Sequence, residues 1–404
     1  MMKQALDGVK VADFSWVGVG PIIARILAHH GATVVHIESE TAPDPLRALA
    51  PYKDNISGLN RCAYHACVND GKYGATLNLR HPGAKGVVEQ FVKWADIVSE
   101  SFAPGVAARL GISYEDVRKI KPDIIMYSSC NLGQTGPRAK FRGFGTNLVA
   151  LVGTTHLTGW PDRMPTPPYG ALTDAIAPLF GAAALVAALD YHRKTGKGQY
   201  LDLSQFESTV HFLTPLILDY QASGRVAQRT GNTSPYAAPH GAYPCKGDDR
   251  WCAIAVLTPE EWKAFCKVMG NPGWTKDPRF SSVLARKRNE EELNRLIGEW
   301  TIGFSAEEVM LKMQEAGIGA GVVETPATIQ DNPQLKHRHH YRALEHPEIG
   351  LHHYDATPFT LSKTPCDLNM PGPCLGQHNE YVYTKILGMS DEEFVELLGE
   401  GVFE

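Results

Sequence analysis

Residues 11–39, VADFSWVGVGPIIARILAHHGATVVHIES, restrict the possible folds of this chain more than any other stretch. The apolar run VADFSW predicts a strand, Gly18 and Gly20 a tight turn, the next apolar residues a helix, and TVVHIE a second strand. Pro21 predicts the first position of the helix and Gly31 predicts its end. A strand, a helix and a strand in this order form a parallel unit, which requires a sheet covered by helices.

The glycine turn is similar to the phosphate-binding turn of dinucleotide enzymes, with Glu38 about twenty residues further on. Two residues argue against NAD or FAD. Ile23 stands where a third glycine would let helix and strand pack closely, and Pro21 lacks one N–H that would bind a pyrophosphate. A tight turn that binds no ligand is the alternative interpretation at this point.

Charge and hydropathy limit the expected partners. The 404 residues carry a net charge of −5, so neither nucleic acid nor a membrane is expected to bind. The N-terminal residues lack the apolar run of a signal peptide, and the longest apolar stretch, residues 175–189, predicts a buried helix because it contains Pro178 and Gly181. We therefore expect a cytoplasmic protein whose eight cysteines are reduced.

Strands alternate with helices over the first half of the chain. This pattern predicts the α/β class, with a Rossmann-like, doubly wound sheet that binds ligands beyond the carboxyl ends of its strands. A hairpin over residues 243–256 and capping boxes that start at Thr258 and Ser305 predict a smaller α+β domain. The predicted segments are a large domain, 1–205, a linker, 206–224, a small domain, 225–325, a second linker, 326–354, and a C-terminal part, 355–404.

Asp174 is a candidate reactive group because it precedes a strongly apolar helix. The structural interpretation is an N-cap, since aspartate side chains accept hydrogen bonds from the first N–H groups of helices. The same place keeps a carboxylate ionised through the helix dipole. An ionised, desolvated carboxylate can also act as a nucleophile, and the two roles are compatible.

A histidine-rich run is the candidate for a metal site. Its prolines predict loops, and its spacing matches neither HExxH nor another known ligand pattern. We interpret these residues as surface histidines and predict no metal. They are His337, His339, His340, His346, His352 and His353.

The order of the motifs along almost the whole chain resembles the class III CoA-transferases of the CaiB/BaiF type. This family includes formyl-CoA transferase and the carnitine and benzylsuccinate CoA-transferases. The motifs are LDGVKVADFSWVGVGP, GATVVHIES, ATLNLRHPGAKG, ESFAPGVAARLG, SSCNLGQTGP, TDAIAPLFGAAALVAALDYHRKTGKGQYLDLS, GNTSPYAAPHGAYPCKGDDRWCAIAV, AGIGAGVV and PCLGQHNE.

The resemblance implies a CoA-transferase in which Asp174 is the catalytic nucleophile. Asp174 would attack an acyl-CoA thioester, form an anhydride and then a thioester with CoA, and pass CoA to an acceptor acid. Coenzyme A would be a substrate, with no prosthetic group. The implied CoA-binding residues are Trp16, Val17, Gly18, Val19, Leu77, Arg80, Ser101, Phe102, Arg109 and Arg142.

Some residues depart from the family pattern. Gly18 replaces a glutamine of formyl-CoA transferase, and Ser101 replaces the usual asparagine, which argues against formate and oxalate as substrates. The racemase branch uses a histidine and an aspartate in GHDINY, but here residues 143–148 read GFGTNL and cannot move the proton. An acyl-CoA racemase is therefore the less favoured alternative.

The resemblance also implies interlocked dimers, in which the C-terminal part returns to the large domain. The partner is a second copy or a paralogous subunit, so a CoA-binding but catalytically silent subunit is the main alternative. We expect succinyl-CoA as donor. The aromatic residues Trp16, Phe144 and Tyr169 favour an aromatic or dicarboxylic acceptor such as benzylsuccinate.

Overall fold

The computed structural model describes residues 4–404, which form two compact units. The first unit comprises the chain up to Thr154, Pro167–Arg225 and Gln334–Glu404. The second comprises Thr155–Thr166 and Val226–Pro333. Residues 206–224 and 334–354, assigned to linkers above, lie in the first unit.

A six-stranded, fully parallel sheet organises the first unit in the order β3-β2-β1-β4-β5-β6. This order confirms the doubly wound α/β class, because the strand order reverses direction next to β1. Strand β3, a four-residue strand that contains Gly74, was not predicted from the sequence. The strands are β1 Lys10–Phe14, β2 Thr33–Glu38, β3 Tyr73–Thr76, β4 Ile97–Glu100, β5 Ile125–Cys130 and β6 Tyr200–Ser204.

Helices cover both faces of this sheet, as parallel sheets require. The first helix begins at Val19, two residues before the predicted start, so Pro21 lies inside its first turn, where no N–H is needed. The helices up to residue 223 are α1 Val19–Ala28, α2 Ala63–Val68, α3 Ala84–Trp94, α4 Val106–Arg109, α5 Tyr114–Ile120, α6 Gly145–Val152, α7 Thr154–Leu157, α8 Leu172–Thr195, α9 Gln205–Val210 and α10 Thr214–Ser223.

Helix α8 begins earlier than its sequence indicates. Leu172 is its first residue and Asp174 its third, so Asp174 is not the N-cap that the sequence suggested. In the described part of the chain, α8 is the one helix long and apolar enough to cross a membrane. Half of its most apolar 18-residue stretch is buried inside the protein. It packs against α1, because Gly181 leaves room for the Ile23 side chain.

The second unit is built on a three-stranded antiparallel sheet in the order β7-β8-β9. The predicted hairpin is present as β7 His240–Pro244 and β8 Trp251–Ala255, followed later by β9 Gly319–Val322. Both predicted capping boxes are present, with Thr258 before α11 and Ser305 before α14. The helices are α11 Pro259–Val268, α12 Val283–Arg288, α13 Glu290–Thr301 and α14 Ala306–Glu315.

The histidine-rich run is a hairpin and not the loop that its prolines suggested. Strands β10 Tyr341–His346 and β11 Gly350–Asp355 pair antiparallel, and the short helix α15, Pro333–His337, precedes them. Buried His346 accepts hydrogen bonds at Nδ1 from the N–H groups of Glu348 and Ile349, so it closes the turn. The chain then forms a π-helical turn, Tyr381–Ile386, and α16, Asp391–Gly399.

Candidate active site

Two neighbouring cavities lie where the strands of the large sheet end. Residues that follow β1, β2, β3, β4 and β5 line them, as the strand order requires. Both cavities include Trp16 and Phe102, whose rings make an edge-to-face contact with centroids 5.4 Å apart. This aromatic pair therefore forms a wall common to the two cavities.

The first cavity has a volume of about 290 Å³ and is mainly apolar, with arginines at its edge. Leu77 is buried in its wall, whereas Arg80 and Arg109 are exposed. Neither arginine makes a salt bridge to another residue in the range 4–404. Their charges are therefore available for an anionic ligand.

The second cavity, of about 360 Å³, contains Asp174. The exposed Arg142 contributes to its lining and also has no salt bridge within the described residues. Together the two cavities include all eleven residues that the sequence analysis selected. The second cavity includes Val17, Gly18, Val19, Ser101, Arg142 and Asp174, and the first includes Leu77, Arg80 and Arg109.

Two glycine backbones lie against the Asp174 carboxyl group. A Cβ atom added at Gly18 would lie 2.9 Å from Oδ2, and one added at Gly145 would collide with Oδ1. Real Cβ atoms do not approach oxygen this closely, so neither position has room for a side chain. The Gly18 that departs from formyl-CoA transferase therefore has a local steric function.

Burial raises the pKa of Asp174 to about 6, although the Thr173 hydroxyl donates a hydrogen bond to Oδ1 at 3.1 Å. Near pH 6, about half of the Asp174 side chains are therefore protonated. At neutral pH the Asp174 carboxyl group is therefore mostly ionised but has little contact with solvent. A carboxylate in such an environment is a stronger nucleophile than one in water.

Three helices start around this carboxyl group. Gly18 is the N-cap of α1, Gly145 is the first residue of α6, and Asp174 lies in the first turn of α8. The first N–H groups of a helix have no intrahelical acceptor, and the helix dipole adds positive potential there. The site therefore offers backbone donors for negative charge that develops during a reaction.

Gly145 was not among the predicted site residues, because the residues at that position were interpreted only as groups that could move a proton. The small residues in GFGTNL were the feature of the sequence that could have indicated a close approach of the backbone to another group at this position. Of the three aromatic residues proposed for the acceptor, Trp16 and Phe144 line the second cavity. Tyr169 is fully exposed and lines neither of the two cavities.

One buried group in the described residues has the composition of a metal site. His36, Glu38, Asp44 and His65 place one ligand atom each within 4.8 Å of one another. However, the Arg47 guanidinium already donates to both oxygens of Glu38, at 2.8 Å and 2.6 Å. The arginine supplies the positive charge that a metal would bring, so these residues fit a cation poorly.

The sequence profile of CoA-transferase family III matches residues 6–379. The chain therefore belongs to this family, and it is an enzyme of the CoA-transferase class. Members of the family use CoA thioesters as substrates.

Named relatives match over nearly the full length. The chain is 30% identical over 399 residues to the succinyl-CoA–D-citramalate CoA-transferase of Chloroflexus aurantiacus, which covers 99% of this chain and 98% of the relative. It is 28% identical over 404 residues to the succinyl-CoA–L-malate CoA-transferase beta subunit of the same organism, with 98% of each chain covered.

A solved structure has the same fold. The crystal structure of a CaiB/BaiF family protein from Brucella suis is 27% identical and superposes with a TM-score of 0.87, covering 95% of this chain and 100% of that one. The fold that the resemblance implied is therefore confirmed.

The raised pKa of Asp174 predicts a pH-dependent effect of Asp174→Asn on stability. Ionising the buried carboxyl group destabilises the folded wild-type protein, and asparagine cannot ionise. The free energy of unfolding of the variant should therefore rise by on the order of 2 kcal/mol relative to that of the wild type as the pH increases from about 4 to above the pKa of about 6. Urea unfolding followed by circular dichroism at pH 4–8 measures this difference.

The control is Asp190→Asn on the exposed face of the same helix, where the ion pair with Lys194 is solvated. We expect a change of less than about 0.5 kcal/mol at every pH. A difference between Asp174→Asn and wild type that is constant over this pH range would contradict burial as the cause of the raised pKa.

Proposed function

We propose that this enzyme moves CoA from succinyl-CoA to a carboxylic acid through covalent intermediates on Asp174. The observation that carries the proposal is the partly buried Asp174 carboxyl group, held against two glycine backbones inside a cavity at the sheet edge. The names of the two relatives support succinyl-CoA as donor.

We place the nucleotide of CoA in the first cavity. Its apolar wall suits the adenine ring, and Arg80 and Arg109 suit the phosphates, because guanidinium groups bind phosphate oxygens in pairs. The pantetheine arm would pass Trp16 and Phe102, which belong to both cavities, and bring the thioester to Asp174. Arg142 would neutralise further negative charge at the second cavity.

The first half-reaction forms a thioester between CoA and the enzyme. An oxygen of Asp174 attacks the thioester carbonyl of succinyl-CoA, the carbon–sulfur bond breaks, and the products are a mixed anhydride and a CoA thiolate. The thiolate then attacks the Asp174 carbonyl carbon of the anhydride. Succinate leaves with the bridging oxygen, and CoA remains bound to Asp174 as a thioester.

The second half-reaction reverses these steps with another acid. The acceptor carboxylate attacks the Asp174 thioester, which gives a second anhydride and the CoA thiolate. The thiolate attacks the acyl carbon that came from the acceptor, and the acyl-CoA product leaves a free Asp174 carboxylate. Each tetrahedral oxyanion would accept hydrogen bonds from the first N–H groups of α1 and α6.

Trapping with hydroxylamine tests the covalent steps. Wild-type protein incubated with succinyl-CoA and hydroxylamine should carry a hydroxamate at Asp174, because hydroxylamine attacks both the anhydride and the thioester. Peptide mass spectrometry locates the modification. Asp174→Asn should abolish the modification and lower the transfer rate by at least roughly 1,000-fold, as expected for loss of the nucleophile.

Asp190→Asn, which changes an exposed carboxylate of the same helix, is the matched control and should be modified at Asp174 like the wild type. Wild-type protein that binds CoA but is never modified would contradict this proposal. It would instead favour a silent subunit of a heteromeric enzyme, an alternative that the beta-subunit relative supports.

For the acceptor we propose a dicarboxylic acid with an apolar substituent, with benzylsuccinate as the probe. The rings of Trp16, Phe102, Phe141 and Phe144 all line the second cavity. Polar Gln205 lies there too, and its buried Oε1 atom has no hydrogen-bond partner. Aromatic walls would bind an apolar group, whereas Gln205 would bind a hydroxyl group of a hydroxy acid.

Transfer from succinyl-CoA should be measured for benzylsuccinate, citramalate, malate and phenylacetate. We expect the highest kcat/KM for benzylsuccinate, because burying its phenyl group stabilises the bound state by about 2 kcal/mol or more. Higher values for citramalate and malate would contradict this choice. In that case Gln205→Leu should remove the preference for hydroxy acids, since leucine cannot accept a hydrogen bond from their hydroxyl group.

We also propose that the active form is a dimer, interlocked as in the family that the chain resembles. An apolar surface remains exposed on α8 and α10, which includes Leu179, Val186 and Leu218. Phe180 stacks on His211 with centroids 5.3 Å apart, which connects this surface to the turn before α10. Exposed apolar surfaces of this kind are typical of subunit interfaces.

The variants Val186→Glu and Leu218→Glu should shift the protein from dimer to monomer, because each would bury an unpaired charge in the interface. Analytical ultracentrifugation measures the mass, and circular dichroism checks that the variants fold. The control is Val395→Glu, an exposed apolar position on α16 that should leave the mass unchanged. Wild-type protein that sediments as a monomer would contradict the proposal.

A further inference from the structure

Val17 has an unusual backbone conformation at the start of the active-site turn. Its φ angle is +68°, in the left-handed region that β-branched residues rarely occupy. Such a conformation is strained and persists where other contacts hold it. The contact here is a hydrogen bond from the Val17 N–H to Oδ2 of Asp44, at 2.9 Å.

Asp44 is completely buried, and each of its carboxyl oxygens has a different backbone donor. Oδ2 accepts from Val17, whereas Oδ1 accepts from the N–H of Leu46 at 2.8 Å, which starts the 3-10 turn Pro45–Ala48. One aspartate therefore links a local cap to a turn that is 27 residues away in sequence.

A buried ion pair fixes the position of Asp44. Its own N–H donates to Oε1 of Glu38 at 3.2 Å, and Arg47 holds both oxygens of Glu38. Glu38 and Arg47 are 2% and 1% exposed, so solvent does not weaken these bonds. Asp44 is thus a rigid acceptor for Val17.

The two neighbours of Val17 in the chain, Trp16 and Gly18, both line the cavity that contains Asp174. Ser101 Oγ accepts from the N–H of Trp16 at 2.8 Å and donates to its carbonyl at 3.0 Å. Gly18 follows directly and lies against Asp174. A rotation at Val17 would therefore move the Gly18 backbone relative to the Asp174 carboxyl group.

We propose that Asp44 is a positioning residue, which holds Val17 in its left-handed conformation and thereby sets the Gly18 backbone against Asp174. Asp44 touches neither of the two cavities and acts through the turn. The inference rests on the proposed function, because the position of Gly18 matters for the steps at Asp174. Asp44 was not among the site residues predicted from the sequence.

The test combines Asp44→Asn with Val17→Gly. Asparagine keeps the shape but turns one acceptor oxygen into a donor, so the bonds to Val17 and Leu46 cannot both form. We expect kcat to fall roughly 10- to 100-fold, as small misplacements in active sites do. The KM for acyl-CoA should change less than about threefold, because the first cavity is not altered.

Glycine adopts a positive φ without strain and does not need the Asp44 hydrogen bond to hold it there. In the Val17→Gly background, Asp44→Asn should therefore lower kcat by less than about threefold. A role in stability alone would not produce this dependence on the residue at position 17.

Asp277→Asn is the matched control. Asp277 caps the 3-10 turn Pro278–Phe280 of the second unit by accepting from Arg279, just as Asp44 caps its turn before Pro45. The control should lower the melting temperature slightly and leave kcat unchanged. Thermal unfolding of every variant checks that the proteins remain folded at the assay temperature.

The outcomes separate this inference from the proposed function. Equal losses of kcat from Asp44→Asn in both backgrounds, with an active wild type, would overturn the inference alone. Wild-type protein that transfers no CoA and acquires no hydroxamate would overturn the proposed function and this inference with it. A strong loss in the wild-type background and a weak one in the Val17→Gly background supports both.

Discussion

The close approach of the Gly18 and Gly145 backbones to the Asp174 carboxyl group is the constraint on which the site depends. Helices α1 and α6 can begin beside the carboxylate only because neither glycine carries a side chain. The N-termini of both helices then lie beside the carboxyl group, together with the first turn of α8. A single steric condition therefore buries the carboxyl group of Asp174, the proposed nucleophile, and places helix N-termini beside it that could donate to the proposed oxyanions.

The strand order of the sheet explains why distant parts of the sequence meet at this constraint. In the order β3-β2-β1-β4-β5-β6, the loops after five parallel strands open at one edge. This edge brings Leu77 and Arg80, which follow β3, close to Arg109, which follows β4. The charges that suit a phosphorylated ligand thus lie next to the cavity that holds the carboxyl group.

Local signals in the sequence predicted much of this fold. The capping boxes at Thr258 and Ser305 mark helix starts correctly, because a cap is a contact among neighbouring residues. Signals that compete with tertiary packing were misleading. Asp174 looked like an N-cap but lies inside the first turn, and the prolines around the histidine-rich run concealed the pairing of β10 with β11.

The sequence alone determined the βαβ start and the α/β class, because these follow from periodicity and from motifs whose members are close along the chain. The choice of Asp174 as the proposed nucleophile followed from the resemblance to the CoA-transferase family. Only the tertiary structure decided that Gly145 frames Asp174 and that Asp44 holds Val17. These contacts join residues separated by 27 to 29 positions, and no local rule specifies which partner a buried group will meet. Packing settles that choice, since most buried polar atoms find their hydrogen-bond partners among the residues that the fold brings next to them.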